Sequence, residues 1–517
     1  MKTKRLFIAA FFSVTAAVSS WAQINMSTLA DVDGNLNDPS GVTTLTPDND
    51  YLLDRRIYVP DGHQLYIQAG TIVKAVSFPD PADAAAIVVT RGGQIFALGT
   101  EHDPIIFTHE DDPLDGSFSI QNKELWGGLM VLGKAPNNIL EGDVENTAVL
   151  LGIADGVGFI EGLPFPDERH HYGATDTLAD GSPVFDENDN SGVIKYVSIR
   201  HGGTDIGDGN EINGLTLGAV GKGTTIEHIE VVSNGDDGIE FFGGNVDAKY
   251  INIMFCEDDY LDWDQGYNGR IQFMFGLQLP QTIVTATGQD NDTIRYGDNG
   301  MECDGDDGRG DERLFFSAPT VFNATIIGNG ADEGLELKER TEGQIANCIL
   351  ANFGRGVRFE QTSSSETGVD YPGALQVQNN LFLNNGSNYS GSAAQGTALA
   401  NDGNLFVTST TILDTEIAAS INNGLDVFGN TFNAVPASLL PEIETDLLPT
   451  FSDGFFDYAP YKGAFDPGET AWLAGWTLHD LKGTGGDIEC EIDTNGDRNI
   501  DAIDFNNVVG NYNTTCN

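Results

Sequence analysis

Four aspartates stand as two adjacent pairs, Asp236-Asp237 and Asp258-Asp259, 22 residues apart, each just ahead of a short apolar strand with an acid at its centre. The central acids are Glu240 and Asp262, and the frame returns as Asp298-Asn299 before Glu302 and as Asp332-Glu333 before Glu336. In such a strand the apolar flanks turn inward and the middle residue turns outward, so the acids form two outward rows. Stacked strands lie about 4.8 Å apart, and bare carboxylates at that spacing repel by roughly 3 kcal/mol per pair at an effective dielectric near 20. Three arrangements tolerate this: a solvated acidic face, a ladder of bound calcium ions, or a site in which some acids keep their protons. In the third, two carboxylates act as general acid and base on a glycosidic bond. A related version has calcium and an arginine base abstract a proton beside a uronate carboxyl. The candidate catalytic residues are Asp236, Asp237, Asp258, Asp259 and Arg270; Arg270, Lys338, Arg340 and Arg358 stand close enough in sequence to neutralise part of the row.

A second oxygen-rich pattern closes the chain. Asp493, Asn495, Asp497, Asp501 and Asp504 fall at positions 1, 3, 5, 9 and 12 of a loop that supplies the Asn499 carbonyl at position 7, with apolar Ile500 at 8. That is the spacing of an EF-hand calcium loop, which wraps six to eight hard oxygens around one ion. Arg498 replaces the usual glycine at position 6 and Asp504 the usual glutamate at 12. Aspartate at 12 and the following FNNVVGNY resemble dockerin loops, of which only one copy is visible. The tail, 487–517, is expected to bind calcium, with Cys490 and Cys516 as the pair placed to close it.

The elements that hold these acids follow from the repeat. IEHIEVVSNGDDGIEFFGG (226–244) and AKYINIMFCEDDYLDWDQG (248–266) align with Ile229 over Ile251, Phe241 over Trp263 and Gly244 over Gly266. LYIQAGTIV and IVVTRGGQI, near the start, are again 22 residues apart. Strands of four to six residues, broken at Gly, Asn or Asp and repeated at a fixed period, cannot bury their apolar edges singly and must stack. The expected fold is all-β, a right-handed parallel β-helix. Its expected parts are a signal peptide (1–22), an N-terminal cap (23–56), the β-helix (57–435), a cap carrying Trp472 and Trp476 over the last coil (436–486), and the calcium tail. Long excursions interrupt the coils at 133–190, 279–297, 361–374 and 386–402. Cys303 is expected on an inward strand position, Cys256 at a turn and Cys348 in a strand.

Lys2, Lys4 and Arg5 precede the apolar run LFIAAFFSVTAAV and a small-x-small site at Ser20-Trp21-Ala22, the pattern of an export signal. Its cleavage removes three cations and no acid, so the formal charge of −53 becomes −56. Such acidity excludes nucleic acid and anionic membrane as partners, and no later stretch approaches the ~18 apolar residues of a membrane span. The chain is expected to be secreted, extracellular or on the cell surface.

The coil pattern resembles the pectate-lyase-like superfamily of β-helices. The Asp236-Asp237 and Asp258-Asp259 pairs are similar to the paired aspartates of polygalacturonases, but the Asn-Thr-Asp, Gly-His-Gly and Arg-Ile-Lys motifs of those enzymes do not occur; His201-Gly202-Gly203 and Arg270-Ile271-Gln272 come nearest. Closer in detail is a family of large exported β-helix proteins of Bacteroidota and related bacteria. LWGGLMVLGKAPN (125–137), SGVIKYVSIRHGG (191–203), EINGLTLGAVGKGTTIEHIEV (211–231) and DDYLDWDQGYNGRIQFMFGLQ (258–278) resemble its signature blocks. That resemblance implies the fold and export but no established activity. The expected function is a secreted calcium-binding β-helix protein that interacts with carbohydrate or builds a cell surface. The alternative is a polysaccharide lyase or glycoside hydrolase acting on an acidic glycan.

Overall fold

The computed structural model describes residues 22–408, apart from 116, 142, 146–147, 150–152, 165, 207–209, 279–296, 307–314 and 361–367, and further on 454–466, 472–473 and 475–478. Within them the strands run parallel and each coil stacks on the one before. Ile229 pairs with Ile251, Phe241 with Trp263 and Trp263 with Cys303, in the register the repeat demands. Their side chains are fully buried in one continuous apolar column. The chain is thus an all-β parallel β-helix.

Each central coil carries two strands, the longer of them bent in its middle. Thr225–Val232, Asp247–Met254 and Arg270–Leu277 form one ladder, bent in mid-strand. Ile239–Phe242, Leu261–Asp264 and Met301–Cys303 form the other, which holds the acids. The bend comes from one residue per coil with positive φ: Tyr196, His228, Tyr250, Phe273, then Asn323, Asn347 and Asn379. Asparagine tolerates this conformation, whereas a bulky ring there is strained. Stacking offsets the strain. Tyr196 and His228 lie 4.1 Å apart between ring centroids, His228 and Tyr250 4.4 Å, and Tyr250 and Phe273 5.1 Å.

The coils begin earlier than expected. Within the anticipated cap at 23–56, Val42–Leu45 pairs with Gln64–Gln68, and Tyr51, Leu52 and Leu53 pair with Val73, Lys74 and Ala75. Leu45, Tyr51 and Leu53 alternate into the core, but Asp- and Asn-rich turns separate these short strands and hide their period. Part of the 386–402 excursion is also coil: Ser387–Ser390 continues the acidic ladder, and the helix Ala393–Asn401 sends Leu399 into the core.

Of the residues expected to cap the last coil (436–486), the described ones, within 454–466, 472–473 and 475–478, lie along the flank instead. Asp457 bonds Lys249, Tyr250 and Gln272; the Tyr461 carbonyl accepts from Asn323; the Gly463 N–H donates to the Asn347 carbonyl; and the Leu478 N–H donates to Glu230. Trp472 and Trp476 close edge-on over His228, at 6.5 and 5.8 Å between centroids. The stacked rings at the bend form an apolar stripe on the flank, and the tryptophans bury themselves against it.

Close coil contact leaves no room for a side chain where the chain re-enters the first ladder after the 133–190 excursion. Gly192 has φ +115°, and a Cβ there would lie 1.9 Å from the Ile95 carbonyl oxygen. Gly192→Ala is expected to cost more than about 2 kcal/mol through strain and coil separation. A melting temperature equal to that of the parent protein would contradict this.

Candidate functional site

The second ladder positions the acids. Apolar Ile239 and Phe241 anchor one strand and Leu261 and Trp263 the next, which forces Glu240 and Asp262 outward in register. The outward row runs Thr216, Glu240, Asp262, Glu302, Glu336, Arg358 along the helix axis. The turn before each strand builds a second row, linked from coil to coil. The Asp259 N–H donates to Asp237 Oδ1 at 2.8 Å, the Asn299 N–H to Asp259 Oδ1, and the Glu333 N–H to Asn299 Oδ1 at 3.2 Å. Asp237 and Asp259 therefore have a structural duty that an amide also performs, as Asn299 shows.

The centre of the rows is not a solvated face. Asp236, Asp237, Glu240 and Asp259 are only 7, 6, 6 and 2% exposed. Part of the cover comes from the 133–190 excursion, whose Ile139, Phe159, Ile160, Leu163 and Tyr172 pack on the outer side of Met130, Leu132 and Phe242. That excursion also brings in Glu161. Asn213 Nδ2 donates to Glu161 Oε1 at 2.8 Å and to Glu240 Oε2 at 2.5 Å, tying loop to strand.

The oxygens converge into one seam. Four triads each place three carboxylates with ligand atoms within 4.8 Å of one another: Glu211, Asp236 and Asp258; Asp237, Asp258 and Asp259; Asp237, Glu240 and Asp262; and Asp259, Asp262 and Glu302. Shared members chain the last three triads together, and the Asp236–Asp237 and Asp258 neighbours join the first. Burial, then mutual repulsion, pushes Asp236, Asp237, Glu240, Asp259 and Asp262 well above the ordinary carboxylate range. Counter-charges sit toward the ends. Lys338 pairs with Glu302 and Asp304, Arg355 with Glu333, Arg358 with Glu336, and Lys123 with Glu257. Glu257 is pushed up to about 7 by burial, with Lys123 opposing. Oxygen atoms without a hydrogen-bond partner remain inside the seam, among them Asp262 Oδ1, Asn213 Oδ1 and Thr216 Oγ1.

Other sequence candidates fall elsewhere. The structure does not bring Arg270 to the acids: it lies on the first ladder, with its guanidinium on Asp247 and over the Phe455 ring. His201 sits at a coil corner with φ +62°, its Nδ1 2.7 Å from the Asn122 carbonyl, and burial lowers its pKa to about 4. Trp126 and Trp263 are core residues, bonded through Nε1 to the Arg200 carbonyl and the Thr341 hydroxyl. Cys256, Cys303 and Cys348 are buried free thiols. Asp493, Asn495, Asp497, Asn499, Asp501 and Asp504, expected to bind calcium, lie outside the described residues, as does the expected signal peptide before residue 22. No helix among the described residues is long and apolar enough to cross a membrane.

Glu161, Glu211 and Asn213 are members of the seam that the repeat alone does not reveal. Glu161 belongs to an excursion without period, and Glu211 and Asn213 precede the strand whose outward residue is Thr216 rather than an acid. A polar pair, Asn213 two residues from Glu211, next to an uncharged coil is the one local signal.

Hard oxygen ligands in this number suit a divalent cation of the calcium type. The same triads are tight for inverting hydrolysis, which separates its two carboxyls by roughly 6.5–9.5 Å to admit a water.

The description "pectate-lyase like beta helix domain" matches residues 34–154 and 182–427. Among solved structures, the chain is similar to the catalytic unit of a thermostable GH87 α-1,3-glucanase from Streptomyces thermodiastaticus strain HF3-3. Identity is 12% and the TM-score 0.22, over 72% of this chain and 71% of that one. It is also similar to a Dettilon tailspike protein, at 10% identity and TM-score 0.18, over 72% of this chain and 62% of the tailspike. No curated protein matches.

Proposed function

Because the chain belongs to the pectate-lyase-like β-helix domain family, we propose that it is an exported, carbohydrate-interacting protein whose carboxylate seam takes up calcium. The observation that carries this reading is the convergence of four carboxylate triads inside a covered seam. So many acids cannot all be ionised together, since each close pair costs roughly 4 kcal/mol at 4 Å and an effective dielectric of 20. Protons or cations must balance them, and near neutral pH calcium competes for the positions that protons hold. The tail residues Asp493, Asn495, Asp497, Asp501 and Asp504, with the Asn499 carbonyl, would bind a further calcium ion. A glycan bearing carboxylates would then reach the protein through the bound cation.

One observation favours a second reading, a polysaccharide lyase or glycoside hydrolase. Glu161 and Glu240 stand within hydrogen-bonding reach of one another, so one keeps a proton beside the other's charge, as a general acid does. Anionic and neutral polysaccharides, tested for binding and cleavage with calcium and with a chelator, separate the two. Calcium-dependent binding without cleavage, lost in Asp237→Asn/Asp259→Asn, is the expected result. Cleavage that survives the chelator and disappears in Glu161→Gln would replace it with the second reading.

A further inference from the structure

At the first coils, on the other ladder, the structure presents a second surface of different chemistry. Tyr66 and Phe96 stand on adjacent strands in register and stack at 4.6 Å between centroids with 14° between their planes. Phe96 covers one face of Tyr66. The coil before places Thr44 opposite Tyr66, and Val42 two residues earlier. These side chains are too short to cover the second face of the ring. The result is an open hollow of about 460 Å³ lined by Val42, Thr44, Tyr66, Gln68 and Leu98, among others. Thr44 and Gln68 are exposed, and Leu98 is 43% exposed.

Every residue lining this hollow is uncharged, in a chain of net charge −53. Close by, Gln64 Nε2 donates to Gln94 Oε1 at 2.7 Å, so a row of amides borders the rings. An occupant matching this surface has an apolar face for the Tyr66 ring, hydroxyls for amide and threonine groups, and no charge to repel or satisfy. Nucleic acid and acidic peptides have the wrong charge. We propose that the hollow over Tyr66 is a binding subsite for a neutral glycan, distinct from the carboxylate seam. This inference deepens the carbohydrate reading given above but does not depend on calcium in the seam.

Calorimetric titration of the full-length protein with cellohexaose and mannohexaose tests it, in chelator and in calcium, with trigalacturonate as the charged counterpart. At least one neutral oligosaccharide is expected to bind equally with and without calcium. Tyr66→Ala is expected to weaken that binding tenfold or more and Tyr66→Phe by less than threefold. Thr44→Arg, at an exposed edge-strand position where loss of fold is no concern, is expected to block it. Asp237→Asn/Asp259→Asn should leave it unchanged; retention there alongside loss of calcium-dependent binding supports this subsite, whatever becomes of the seam. Neutral binding unaffected by Tyr66→Ala and Thr44→Arg, or no neutral binding at millimolar oligosaccharide, overturns the proposal. Concentration-dependent dimers that Thr44→Arg abolishes would also overturn it, by showing that a second copy fills the hollow.

Discussion

Raising the pH from 6.5 to 8 in the presence of a chelator is expected to lower the melting temperature, and millimolar calcium is expected to restore it. Asp236, Asp237, Glu240, Asp259 and Asp262 all titrate above their ordinary range when folded, because burial and neighbouring acids disfavour their charge. Glu257 and Glu339 lie at about 7 and about 8. In the unfolded chain such groups titrate near 4. These carboxyls therefore hold more protons in the folded state, so their contribution to stability is fully present below about pH 4 and is lost as the pH climbs through their folded values toward 8. The buried His170, His201 and His228, held at or below about 4 when folded, act in the opposite sense only below about pH 6.5. Every tenfold gain in a group's proton affinity on folding corresponds to about 1.4 kcal/mol, and a combined loss of several kcal/mol should move the melting temperature by about 5 °C or more. Calcium at a hundredfold excess over its dissociation constant returns roughly 2.7 kcal/mol per site.

Asp259→Asn tests the cause, because Asn299 already fills the equivalent position one coil on and accepts the next N–H. The amide should keep the ladder, raise chelator-state stability at pH 8 and diminish the calcium response. A melting temperature that stays flat or rises with pH in chelator would refute the shared-proton description. Indifference to calcium in every variant would remove the cation.

The second large effect concerns the column beneath. Trp263 is fully buried, sits in register between Phe241 and Cys303, and donates from Nε1 to the Thr341 hydroxyl at 3.1 Å. Trp263→Ala is expected to cost about 3–5 kcal/mol from the cavity alone, and more because Thr341 loses its partner. Trp263→Phe should cost clearly less. Because neighbours support one another coil by coil, the damage should concentrate nearby, and limited proteolysis should cut first around 240–305. Wild-type resistance in the alanine variant would contradict the packing described.

What the repeat makes legible is whatever depends on the matching position in the adjacent coil. Ile229 over Ile251, the inward Cys303 and the outward Glu240 and Asp262 all follow from alternation in one coil copied to the next. The burial of those same acids does not follow, since an aperiodic excursion brings Glu161 against Glu240 through Asn213. Strand pattern separates inside from outside within a coil, but it cannot tell an outside that meets water from one that meets a distant loop. Arg270 illustrates a related limit. Its nearness in sequence to Asp262 and Asp264 suggests neutralisation, yet the chain turns between them and carries it to the other ladder, where Asp247 is its partner. Trp472 and Trp476 show a third. Two tryptophans near the end of a solenoid suit an end cap, and only the stack of rings at the bends, itself built from unfavourable backbone angles, makes the flank the better surface.

The segment laid along that flank changes how the molecule should come apart. In a stack of coils that touch only their neighbours, stability is a sum of local parts, so the ends fray and the middle outlasts them. Here Asp457, Tyr461, Lys462, Gly463 and Leu478 bond to Lys249, Gln272, Asn323, Asn379, Asn347 and Glu230, which spans six successive coils. No one of those coils can open without first releasing a tie shared with the others, so they unfold as a single cooperative unit. That segment is synthesised after the coils it ties, so the stack can assemble coil by coil and become slow to unfold only after the ties close. The protein would then owe its lifetime to the rate at which these ties release, rather than to the equilibrium strength of any individual coil.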